Sequence, residues 1–405
     1  MNTPDSPQAG SPARDTRRVF LAIIAAGLAV FLGLGVLADR FPSDTATSPS
    51  SGVTSPSTSA TTSTTVVDQA AHLAGIQAAA ERLREVSLGH PVAVKHIDRA
   101  EVVALIRRLS AVGTDTRRTA ATDEALHLLG ALTADQHLQT LATDGLASQV
   151  AGLYDPTTKN LYVVDGAAAG ATDSTLLHEV VHALQDSRYD LQRAVLASKP
   201  FDADGESAAQ AVAEGDATEV QTRYLQSQGL SGVVAELGGS LSQLSEVPAD
   251  QRQLPSFLQR SLEFPYIQGA AFIKQLRTVG GEAAVDRAFR NPPKSTLEIL
   301  LPQRYLAGNR PPIAVTLPRP DRRALRVLST TFGAADLLAL GVDGQTARTW
   351  RGGKIALDRV GRRRILSMVL STTRPDDLAR ELRRVLPRGA QVRAERATVT
   401  TRIAG

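Results

Sequence analysis

His178-Glu179-Val180-Val181-His182 places two imidazoles four residues apart with a carboxylate beside the first. On a helix, positions i and i+4 lie nearly above one another, so both rings can turn toward one metal ion. Glu179 is then close enough to hold a metal-activated water without being a ligand itself. Leu177, Val181 and Leu184 recur at helical spacing and give the same segment an apolar face to bury. The alternative, an amphipathic helix with incidental histidines, gives no reason for this spacing. A catalytic zinc takes three protein ligands and keeps its fourth position open. No histidine follows His182, and His72, His90, His96, His127 and His137 are scattered without ligand spacing. The third ligand is therefore expected from a carboxylate, and the acidic helix spanning about 205–228 can supply one. Within it, Ala213-Glu214-Gly215-Asp216-Ala217 carries a glycine, costly inside a helix unless another backbone must come close. Glu214 is the ligand candidate, with Glu206, Asp216 and Glu219 as competitors.

The elements around these residues follow from periodicity. Helices are expected at 70–86, 99–110, 117–130 and 133–143, with Pro91 to Ile97 alternating like a strand between the first two. Val150 to Tyr154 and Leu161 to Val164 flank a turn-rich loop and read as a hairpin. Asp173 or Ser174 can cap the motif helix, which should run to about Arg188. Further helices are expected at 265–279, ended by Gly280-Gly281, and at 282–289. Ser295-Thr296-Leu297-Glu298 reads as a capping box. Beyond Pro311-Pro312 the texture changes to short β-prone runs, including the stretch after Trp350, with one clear helix at 375–385. The whole reads as α+β: a mostly helical domain with a small sheet over 67–312, then a small basic α+β domain over 313–405.

Gly152-Leu153-Tyr154-Asp155, Leu161-Tyr162-Val163-Val164, His178 through Asp186, Ala213 through Ala217, Phe264-Pro265-Tyr266-Ile267-Gln268-Gly269 and Pro292 through Thr296 resemble gluzincin-type zinc metallopeptidases. They are most similar to a largely uncharacterised group of bacterial extracytoplasmic HExxH proteins. The resemblance covers roughly residues 67–310 and is specific in its central motif. It implies a zincin-like fold and one Zn2+ per chain held by His178, His182 and Glu214. It also implies Glu179 as the general base that takes a proton from the activated water and returns it to the leaving amine. The best-known gluzincins have an acid one turn after the ligand glutamate. Here that position is Thr218, which leaves Asp186 or Asp216 to orient a ligand histidine. Acyl-transfer chemistry of this kind needs a second donor for the developing oxyanion. Tyr266 is the candidate, with Tyr305 behind it. The strand over 161–164 is expected to offer its edge to an extended peptide.

Composition sets the surroundings. With no cysteine among 405 residues, disulfides, thiol nucleophiles, thiolate ligands and iron–sulfur clusters are excluded. Arg17-Arg18 precede an unbroken apolar and small-residue run from Val19 to Ala38, long enough to span a bilayer as one helix. The positive-inside rule puts residues 1–18 in the cytoplasm and everything after residue 40 outside. Val36 and Ala38 also permit the competing reading of a cleaved signal and a secreted protein. Residues 39–66 are dominated by Ser, Thr, Pro and Ala, a flexible stalk. From Ile313 onward, 18 Arg and one Lys stand against eight acids, a local balance of +11 in a chain of net +4. Few aromatics accompany that charge, which argues against nucleic acid and for an anionic cell-envelope surface. The expectation is thus a membrane-anchored extracytoplasmic zinc peptidase acting on protein or peptide. A noncatalytic zinc-containing binding module for envelope components is the alternative, and Glu179 argues against it, because a purely structural site needs no base.

Overall fold

The computed structural model describes residues 62–111, 116–141, 150–165, 172–191, 202–229 and 254–405. The expected cytoplasmic tail, the apolar span at 19–38 and nearly all of the stalk lie outside these residues. Among the described residues no helix is long and apolar enough to cross a membrane. The first helix, α1 (Thr62–Arg84), begins inside the stretch read as stalk.

A small sheet is built from β1 (Ala93–Ile97), β2 (Gly152–Asp155) and β3 (Asn160–Val164) in the order β1-β3-β2. Between β1 and β2 run α2 (Arg99–Ala111) and α3 (Thr116–Leu129). The β2–β3 hairpin forms as expected, its loop fixed by Asp155, whose carboxylate accepts from Thr157 N at 2.8 Å and Thr158 Oγ1 at 3.0 Å. However, β3 also pairs in parallel with β1, from Ala93↔Asn160 to Ile97↔Val164. The strand over 161–164 is therefore the middle of the sheet and has no free edge. The long crossover that brings β1 alongside leaves no local signal in the sequence. The helix expected over 133–143 is also reduced, with helical backbone only from 138 within the described part.

Two long helices form the centre. The motif helix α4 (Asp173–Tyr189) is capped by Thr172, one residue ahead of the expected caps, and α5 (Ala203–Ser227) closely matches the acidic helix. α4 is buried from Ser174 through Asp186 except at Leu176, so its polar side chains there point into protein and must find partners. Its apolar side chains Leu177, Val180, Val181 and Leu184 pack with Ile76 and Ala80 of α1 and with Ala217 and Val220 of α5.

α6 (Ser256–Arg290) starts earlier than expected and runs through Pro265, with its outward face free of the core and Leu258, Leu262, Phe264 and Tyr266 buried. The expected break appears at Gly280-Gly281, where Gly281 has φ 59°, a conformation that favours glycine. α5 and α6 cross in backbone contact at Gly215 and Gly269: a Cβ on Gly215 would overlap the Gly269 carbonyl group. The short helices α7 (Thr296–Leu300) and α8 (Pro302–Leu306) follow. No capping box forms at α7; the Ser295 side chain makes no cap bond, and Glu298 instead accepts from Lys294 N at 2.7 Å.

The C-terminal part is an antiparallel five-stranded sheet, order β4-β5-β6-β8-β7, made of β4 (Leu325–Thr331), β5 (Trp350–Val360), β6 (Arg363–Thr372), β7 (Gln391–Glu395) and β8 (Thr398–Ala404). α9 (Ala334–Leu340) and α10 (Gly344–Ala347) connect β4 to β5, and α11 (Pro375–Val385) occupies the expected helix position. Apolar packing is continuous between the two parts of the chain: Ala125 and Leu129 of α3, Val212 of α5 and Phe272 of α6 share one cluster with Phe332, Trp350, Leu366 and Leu382. The start of α5 is also tied to β4, with Asp204 N donating to Thr331 Oγ1 at 2.9 Å. The fold is thus mostly helical α+β with two sheets.

Candidate metal centre

α4 and α5 lie side by side, and the face they share brings His178, His182 and Glu214 together, all buried. His178 Nε2 and His182 Nε2 are 3.2 Å apart, and each is 3.4 Å from Glu214 Oε2. In a tetrahedral zinc site with bonds of about 2.0–2.1 Å, ligand atoms are about 3.3–3.4 Å apart, 1.63 times the bond length. The three atoms therefore mark out one face of a tetrahedron of zinc size. Two nitrogens and one oxygen are also a donor set that suits zinc. The residues fit a metal ion. Of the competitors for third ligand, Asp216 and Glu219 are paired with arginines instead.

The direction of His182 is fixed from behind. Its Nδ1 donates to Gln185 Oε1 at 3.0 Å, which turns Nε2 toward the triad. Gln185 cannot flip its amide, because its Nε2 donates to Ala213 O at 3.0 Å and Asp216 Oδ2 at 3.1 Å, both acceptors. Gln185 was not anticipated, although its position three residues after His182 on the same helix face is visible in the sequence. Asp216 acts one step removed, through Gln185, and Asp186 plays no part at the triad. Asp186 accepts from Tyr154 Oη at 2.8 Å and Lys159 Nζ at 2.6 Å, which ties α4 to the hairpin. On the other side, His178 Nδ1 and Thr218 Oγ1 are both buried without a hydrogen bond. Gln221, whose amide donates to Ser174 Oγ at 3.0 Å, is the polar side chain acting on His178.

Charges inside the site are strongly coupled. Burial alone would push Glu214 up, but His182 and His178 hold it down at about 2. Burial would likewise pull His182 down, and Glu214 reverses this to about 9. His178 is lowered, with burial outweighing Glu214. Glu179 stands next to the triad against the hairpin, its Oε2 accepting from Tyr154 N at 2.7 Å. Burial raises it to about 8, against the pull of His182 and that N–H. Tyr154 belongs to β2, so the backbone group that faces α4 on this edge of the small sheet is already bound by Glu179.

Tyr266 is brought to the same place by the close α5–α6 crossing, one turn before Gly269. Its ring stacks on His178 with centroids 6.1 Å apart, and burial, then Glu214, raises its hydroxyl well above the usual tyrosine value. Tyr305 is elsewhere, donating to Asn291 O at 3.1 Å and packing against Phe272. A separate cavity of about 540 Å³ opens at the start of α5, lined by Asp204, Ala209, Lys294, Ile313, Trp350 and Lys354 among others.

No family model matches the chain, and no curated protein matches it. Among solved structures, the crystal structure of a putative hydrolase with a novel fold from Chloroflexus aurantiacus aligns with a TM-score of 0.32 at 19% identity, over 59% of this chain and 89% of that one.

Proposed function

We propose that this protein is a zinc-dependent hydrolase that cleaves peptide bonds outside the cytoplasm. The observation that carries the proposal is the triangle of His178 Nε2, His182 Nε2 and Glu214 Oε2, with sides of 3.2, 3.4 and 3.4 Å. These three residues would hold the ion. When bound, zinc supplies Lewis acidity toward a carbonyl oxygen and toward water. The chain's own residues do the rest. Glu179 is the buried carboxylate beside the triad, and its elevated pKa suits a group that accepts a proton near neutral pH and passes it on. Its Oε2 holds Tyr154 N, which leaves Oε1 as the oxygen that can take the proton. Tyr266 is the hydroxyl donor at the triad. The peptide specificity rests on the resemblance to gluzincins. Since β3 is covered on both sides, the edge next to the centre that could align an extended peptide is that of β2.

The test is zinc content and peptide hydrolysis measured together. Wild type should hold about one zinc per chain and cleave members of a quenched-peptide library. Glu179→Gln should keep the zinc and lose cleavage, and Glu214→Ala should lose the zinc while remaining folded. A wild-type chain that takes up no zinc after loading would sink the proposal. We place the protein at the cell membrane, held by residues 19–38. Recovery in carbonate-washed membranes supports this anchor, and a soluble product beginning after residue 38 overturns it.

A further inference from the structure

Among the described side chains of α1, the buried polar one is an arginine. Arg84 is 1% exposed. Its Nε donates to Asp216 Oδ2 at 2.8 Å, its Nη1 to Glu282 at 2.7 Å, and its Nη2 to Asp286 at 3.1 Å and Tyr189 Oη at 3.3 Å. Asp216 is wholly buried and is also held by Arg277 Nη2 at 3.1 Å. A buried arginine with so many partners can be a stabilising knot and nothing more. One of its contacts argues for a further role, because the Asp216 oxygen that takes the Arg84 proton is the same Oδ2 that takes the Gln185 amide proton.

We infer that Arg84 is a positioning residue of the metal centre, acting through Asp216 and Gln185 on His182; this rests on the reading of the triad as a metal site. The chain of donors has one direction. The guanidinium holds the Asp216 carboxyl group in place through Oδ2. Asp216 and Ala213 O together make Gln185 present its NH2 to them and its carbonyl to His182. That carbonyl accepts from Nδ1, so Nε2 is the nitrogen turned toward Glu214 and His178. Without Arg84, Asp216 would be a buried carboxylate with Arg277 as its only cation, and Gln185 would keep Ala213 O but lose the firm placement of its second acceptor. Within this relay Gln185 and His182 lie on α4 and Asp216 on α5; Arg84 reaches them from α1 through Asp216 Oδ2, while Arg277 of α6 braces the other oxygen of Asp216.

The experiment measures zinc affinity of the full chain by competition with a chromophoric chelator, together with the visible spectrum of the cobalt form. Arg84→Met and Gln185→Leu should each weaken zinc binding about 10- to 100-fold and alter the cobalt bands. The double variant should be no weaker than Gln185→Leu alone, because both act along one path; a merely structural loss would add. If Arg84→Met does not fold, Asp216→Asn replaces it, with the same expectation of non-additivity with Gln185→Leu. Arg188→Gln, which removes another cation from Asp286 and lies off the relay, should leave affinity and spectrum unchanged. Wild-type affinity in a folded Arg84→Met, or additive losses in the double variant, would overturn the inference while leaving the metal centre intact. Absence of zinc in wild type would instead remove the reading beneath it.

Discussion

One further side chain at the centre is expected to separate binding from turnover. Tyr266 touches the triad but is not one of its three donors, so Tyr266→Phe should retain zinc and keep KM within a few-fold while lowering kcat about 10²- to 10³-fold, the range for losing one oxyanion donor. Unchanged kcat would reduce Tyr266 to a packing residue over His178. The grouping of His178, His182 and Glu214 was legible in the sequence, because metal ligation constrains residue type and spacing together. What orients them was less so. Asp186 and Asp216 were the visible candidates because both are charged, yet a neutral glutamine does the direct work and Asp216 serves it. Hydrogen-bond direction decides that, and direction depends on three elements meeting. Thr218 occupies the helix turn after Glu214 and supplies no bond to His178, as the missing acid had suggested.

At the level of elements, the site depends on how closely α5 and α6 approach. Gly215 was readable as a point of close backbone contact, and Gly269 is the group it meets. Gly215→Ala should cost roughly 1–3 kcal/mol, the usual range for overpacking. Because Glu214 and Asp216 flank it, the same change should weaken zinc binding. Denaturant melts and zinc competition on the one variant check both, and a variant of wild-type stability and affinity would show that the crossing can relax freely. The break in α6 was equally readable from Gly280-Gly281, and it turns Glu282 and Asp286 toward Arg84. Helix periodicity carried most of this, down to α5 and α11. It failed at the start of α6, where Pro265 suggested a beginning but packing of Leu258 and Leu262 carries the helix straight through. It failed also at β3, whose second partner arrives through a long crossover.

For the molecule as a whole, two properties follow from where charge is kept. Asp204, at the start of α5, is buried against Thr296 with Asp336 and Asp202 nearby, and burial raises its pKa to about 8. An unfolded aspartate titrates near 4. Between these values the folded chain holds a proton that the unfolded chain has released, so this group makes stability fall as pH rises from about 4 to 8, with no further loss above. Asp204→Asn should flatten that slope, which urea melts at pH 5 and pH 8 would reveal; an identical slope in the variant would mean that Asp204 ionises normally. Outside, Arg364, Arg388, Arg393 and Arg402 are exposed on the C-terminal sheet and its connections. The expected docking to an anionic envelope predicts binding to phosphatidylglycerol vesicles that fades as salt shortens the screening length; salt-independent binding, or none, would leave this face merely solvated. The bonds from β4 to the start of α5 bear on time as well as place. Ala203 and Asp204 donate to threonines 127 residues further along, and Arg84 waits for acids about two hundred residues away. A polypeptide synthesised from its N-terminus cannot complete the contacts at the start of α5 until β4 has emerged. The packing around the triad is therefore finished only by segments made long after the triad's own residues.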